Sequence, residues 1–165
     1  MAESPDRTGT ELALLHEMIK SNRDSMLWKL EDISDEQGRE RVVGSLTTLI
    51  GLVKHMELVE RWWVRMVMDG EDLPLPWSKA DPDAEWRVTE QDTIAGAIES
   101  YAAELEVVDA VIARQDDLGR EVQARDRKYA VRWILMHLIE EIARHAGHAD
   151  IIRETIDGET GYLRG

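Results

Sequence analysis

The sequence predicts an all-α protein, a four-helix bundle, and three observations carry that prediction. Four stretches repeat apolar residues at the period of a helix. Each is long enough to serve as a full bundle helix, and no stretch has a β-strand pattern worth defending. With 165 residues and 43% apolar side chains, the chain has enough to bury for one core. The domain is expected over residues 10–165, after a disordered tail over 1–9.

The first helix is expected over 10–31. Leu12, Leu15, Met18, Ile19, Met26 and Leu30 follow the helical period, Thr10 stands where an N-cap belongs, and Arg23 lies mid-helix. The stretch DISDEQGRERVVG reads as a connection with one helical turn at 35–38. A second helix runs from Ser45 to Met68, with Gly70 as its stop signal. Leu52, His55, Val59, Trp62 and Met66 share one stripe of it. A lone histidine among such neighbours is ordinarily a core residue whose ring nitrogens bond to backbone or water.

Residues 70–88, GEDLPLPWSKADPDAEWRV, hold three of the four prolines and two of the six tryptophans. They read as a loop long enough to cover something. Thr89 to Asp92 resembles a capped start, and a third helix should follow to Gln115, with Ile94, Ile98, Tyr101, Leu105, Val108 and Ile112 inward. The polar stretch DDLGREVQARDRK then connects to the fourth helix, which ends near Asp157 and Gly158.

That last helix, WILMHLIEEIARHAGHADIIRETID, carries three of the five histidines with a glutamate pair between them. At roughly 100° per residue, His137, Glu141, His145 and His148 fall within a stripe about 80° wide, beside Leu138, Ile142 and Ile152. Ionisable groups so placed need partners, and a divalent cation is one. The stripe is equally open to a plainer reading, a solvated face with one or two core histidines. In a bundle, one histidine from the second helix and an acid/histidine pair from the fourth would supply three ligands and leave an open coordination position. That is the pattern of a working zinc site.

Composition narrows the chemistry. The formal charge of −14 argues against nucleic acid and anionic membrane surfaces as partners. No apolar run approaches the length of a membrane span and the N-terminus is polar, so a cytoplasmic protein is expected. There is no cysteine. Any metal must therefore be held by His, Asp or Glu, and any thiol chemistry must use a thiol that arrives with a substrate.

The stretches SLTTLIGLVKHMELVERWW and YAVRWILMHLIEEIARHAGHADIIRETIDGETGY, with the opening helix around Arg23, resemble the DinB-like superfamily. More narrowly they resemble its branch of mycothiol-associated metalloproteins related to mycothiol-dependent maleylpyruvate isomerase. The likeness covers residues 11–162, and RHAGHADIIRE is its most specific part. Many superfamily members hold a metal with one histidine on the second helix and two, four apart, on the last. His55 matches the first and His145 the third, while Glu141 stands at the middle position, as also happens in the isomerase branch. His137 matches a position often kept as His without being a ligand, and His148 stands where relatives often carry Gln. The isomerase has an additional C-terminal domain for which this chain leaves no room, so isomerase activity does not follow.

The resemblance implies a divalent metal on His55, Glu141 and His145, with zinc expected first and nickel as the alternative. It also implies mycothiol as co-substrate, an electrophilic small molecule as acceptor, and frequently a homodimer. His137, His148 and Arg144 are then catalytic candidates, the histidines for hydrogen bonding or proton movement and Arg144 for orienting an anionic substrate. The plainer reading makes the histidines buried polar groups and pairs Arg144 with Glu140 at the surface. Two other functions stay open: a metal-dependent hydrolase that activates water, and a non-enzymatic metal- or ligand-binding bundle. Trp62, Trp63, Trp77 and Trp86 suggest a dimer interface or a lid over the metal.

Overall fold

Hydroxyl side chains decide where most of the helices begin. In the structure, a computed structural model that describes residues 7–160, Thr10 accepts a hydrogen bond from the Ala13 N–H and opens α1 (Glu11–Trp28). Ser34 and Gln37 form a reciprocal capping box that starts the short α2 (Asp35–Arg39). Thr48 caps α3 (Leu49–Glu60) through the Gly51 N–H at 3.0 Å. Thr93 caps α4 (Ile94–Ala113) through the Gly96 N–H at 3.1 Å. The last helix, α5 (Val131–Asp157), has no side-chain cap. Its first N–H groups, on Val131 and Arg132, donate instead to the carbonyls of Arg120 and Leu118 at 3.0 and 2.8 Å. Gly158, at φ 78°, ends it in the left-handed conformation.

The architecture is all-α and DinB-like, as expected, with four corrections of detail. The second helix begins at Leu49 rather than Ser45, whose hydroxyl bonds that of Thr47 at 2.8 Å. Its last eight residues, Arg61–Met68, widen into a π-helical turn closed by the Asp69 N–H on the Val64 carbonyl. The third helix begins at Ile94, because Asp92 folds back to accept from the Thr89 N–H at 2.7 Å. The polar connection also holds an antiparallel hairpin, β1 (Glu121–Ala124) and β2 (Arg127–Ala130), in register Val122 to Tyr129. Of the expected N-terminal tail, residues 1–6 lie outside the described residues and 7–9 are exposed.

α1 packs chiefly against α5, and α3 against α4. Ile19, Met26, Met56, Tyr101, Leu138 and Ile142 are fully buried between them. A buried polar knot crosses this core. Arg23 on α1 donates to both carboxylate oxygens of Glu60 on α3 and, at 2.7 Å, to Asp109 on α4. The Tyr101 hydroxyl also donates to Glu60. Burial, and next the charge of Glu60, push that phenol well above its ordinary pKa, so it stays a donor. Among the described residues no buried side-chain nitrogen or oxygen lacks a partner, and no helix is long and apolar enough to cross a membrane.

Candidate metal centre

His55 lies on α3 and Glu141 and His145 lie one turn apart on α5, and the packing of these two helices brings the three together. One atom from each meets the others within 4.8 Å. The His55 and His145 rings stand edge to face with centroids 4.8 Å apart. The His145 Nε2 lies 3.4 Å from the Glu141 Oε2. Two ligands at zinc-like distances on a tetrahedral ion are about 3.3–3.5 Å apart, so this pair already has the spacing of two ligand atoms. Two imidazoles and one carboxylate are also a donor set that a divalent ion accepts.

The electrostatics keep His145 in the form a metal needs. Burial first, and then the neighbouring His55, push its pKa down to about 4, against the opposing pull of Glu141. Its ring is therefore neutral at pH 7, with a free lone pair. The other Glu141 oxygen, Oε1, accepts from Arg144 at 2.6 Å, and Arg144 also pairs with Glu140. That guanidinium is engaged by two carboxylates, so the part the geometry gives it is to hold Glu141. His148 is exposed at the rim, its Nδ1 3.3 Å from the His145 Nδ1. His137 stands one turn before Glu141, its Nε2 4.0 Å from Glu141 Oε1, and its ring stacks on Trp133.

Glu85 was not singled out from the sequence, and Trp86 only as one of four tryptophans offered for a dimer interface or a lid. Glu85 Oε2 lies 3.2 Å from the Nδ1 of His55, and Trp86 stacks on the same ring with centroids 4.2 Å apart. Both come from a single 3₁₀ turn, Ala84–Trp86, inside the proline-rich loop. With Nδ1–H donated to Glu85, the lone pair of His55 is on Nε2. The signal was the loop itself, long enough to cover something, though nothing in it marked Glu85 over its acidic neighbours.

The family profile of the mycothiol-S-transferases matches residues 14–158, nearly the whole chain. The chain belongs to that family. The mycothiol-S-transferase family is DinB-like, in agreement with the resemblance read from the helices around His55 and His145. No curated protein matches this mycothiol-S-transferase family member. Its fold is shared by the crystal structure of a conserved protein from Enterococcus faecalis, with a TM-score of 0.69 and 13% identity. That match covers 92% of this chain and 100% of the other.

Proposed function

We propose that the protein transfers a low-molecular-weight thiol, mycothiol in the first instance, to an electrophilic small molecule, using a divalent metal held by His55, Glu141 and His145. The observation that carries this is the meeting of one imidazole from α3 with a carboxylate/imidazole pair from α5, in a chain of this family. Three protein ligands leave a position for an exogenous group. A bound divalent ion, zinc before nickel, lowers the pKa of a thiol so that thiolate is available near neutral pH.

The chain's own residues divide the remaining work. Glu85 fixes the tautomer and ring plane of His55, and Arg144 holds one oxygen of Glu141 so that the other faces inward. Trp86 covers His55 and limits the access of water from the loop side. The S–H bond breaks with its electron pair kept on sulfur, and His148, open to solvent, takes the proton away. His137 donates a hydrogen bond to the incoming substrate from the α5 side. A sulfur–carbon bond then forms at the electrophilic carbon as the leaving group departs with its own pair. With no cysteine in the chain, the nucleophile arrives with the co-substrate.

Metal analysis of the purified protein, followed by a transfer assay with mycothiol, bacillithiol and glutathione in parallel, tests this reading. One equivalent of divalent metal and turnover with mycothiol are expected, both lost in His55→Ala. Hydrolysis of a plain ester or amide without added thiol, and no transfer with any of the three, would replace it with the hydrolase.

A further inference from the structure

The stripe of α5 that carries His145 and Glu141 continues backwards at four-residue steps through His137 and Trp133 to Tyr129 on β2. Trp63, on the π-helical turn, meets Tyr129, Trp133 and His137 edge-on, with centroids 5.2, 5.5 and 5.2 Å away. Beyond this row, between the π-helical turn and the tip of the hairpin, lies a groove of about 450 Å³. Trp62, Trp63 and Tyr129 form its walls, and Arg125, Asp126 and Arg127 reach it from the hairpin. Its size is that of a small-molecule site.

Charge distinguishes this groove from a packing gap. The chain has 34 acidic against 20 basic residues, and its arginines are mostly claimed by carboxylates or carbonyls. Arg125 and Arg127 are not: among the described residues neither makes an ion pair, although Asp126 stands between them. The Arg125 guanidinium lies over the Trp62 ring, 5.7 Å from its centroid. Arg125 also occupies the hairpin tip at φ 55°, a left-handed position that glycine or asparagine fills with less strain. The sequence thus places a free guanidinium over an aromatic wall against local backbone preference.

We propose that this groove is a binding site for a small planar anion, an aromatic or conjugated carboxylate. Its ring lies against Trp62, Trp63 and Tyr129, and its carboxylate takes the guanidinium groups of Arg125 and Arg127. The planar fork of arginine matches a carboxylate in two-point geometry, and the indole faces favour a flat partner. Trp63 of the groove lies eight residues, about two turns, after His55, so a ligand here is held apart from the His55–Glu141–His145 group. Binding in the groove therefore goes beyond the thiol-transfer reading and does not require a metal.

Calorimetric titration of the full chain with 2-naphthoate and with its neutral analogue 2-naphthamide tests the proposal. Naphthoate should bind about tenfold or more tightly than the amide, with an affinity that chelation of metal leaves unchanged. The double variant Arg125→Gln/Arg127→Gln should lose that preference and keep the amide's affinity. Both arginines are exposed, so folding is not at stake, and circular dichroism checks it. Equal affinity of the unsubstituted protein for the two ligands would overturn the proposal, as would a preference for naphthoate that survives in the double variant. Naphthoate binding abolished by chelation and by His55→Ala would also overturn it, by sending the carboxylate to the triad. None of these outcomes bears on whether the protein transfers a thiol.

Discussion

Glu85 carries the sharpest claim at the level of single residues, because its only evident work is to hold the Nδ1 of His55. Glu85→Gln should lower metal affinity by about 10- to 100-fold, as loss of such outer partners does elsewhere, without changing the fold. Competition with a chromophoric chelator reads this directly, and unchanged affinity would remove Glu85 from the site. His145 makes a second claim through pH. Its pKa falls from the ordinary 6.5 to about 4 on folding, with burial as the first cause. Between those values the unfolded chain binds more protons than the folded one, so stability rises with pH across that window. In the metal-free protein this contribution is complete above pH 6.5 and declines as pH falls toward 4. Urea midpoints over that range should show the slope, and His145→Asn should flatten it relative to wild type.

Among the elements, α1, α3 and α4 are tied by Arg23, Glu60, Tyr101 and Asp109, with Arg23 2% and Glu60 0% exposed. Arg23→Ala leaves a buried carboxylate without its cation and should cost about 3–5 kcal/mol of unfolding free energy. A loss below about 1 kcal/mol in urea denaturation would mean the knot is not holding the helices together. In the hairpin, Arg125→Gly relieves the left-handed backbone and should raise stability by up to about 1 kcal/mol, while emptying the groove of one guanidinium. Such pairs explain what was readable in advance. The apolar periods of α1, α3, α4 and α5 were plain, since burial of one face is a property of the sequence itself. Choosing between Ser45 and Thr48, or between Thr89 and Thr93, was not. All four positions carry hydroxyls able to cap, and at α4 the start is fixed by distant partners: Asp35 accepts from the Ile94 N–H at 2.8 Å, and Lys54 holds Asp92 at 2.7 Å. The hairpin escaped because Arg125–Asp126 lacks the glycine that marks a tight turn, and only Val122 and Ala124 in β1 alternate inward. That His55, Glu141 and His145 meet was expected from spacing and resemblance together, whereas Glu85 became visible only once the loop was folded onto α3.

For the whole molecule, the aromatic excess that suggested a dimer interface or a lid has work within one chain. Trp86 covers His55, and Trp62 and Trp63 wall the groove, while Trp77 is half-buried in the connecting loop. α5 runs past both places: its middle turns bring Glu141 and His145 to α3, and its start follows the hairpin that edges the groove. The central claim is that this bundle holds a metal able to take a thiol. Cobalt substitution tests it most directly, because a thiolate on cobalt gives an intense sulfur-to-metal charge-transfer band that a water ligand does not. Fully loaded protein should develop that band on addition of mycothiol, and the His55→Ala and His145→Ala variants should not. A fully loaded protein that shows no band with mycothiol, bacillithiol or glutathione would contradict the account.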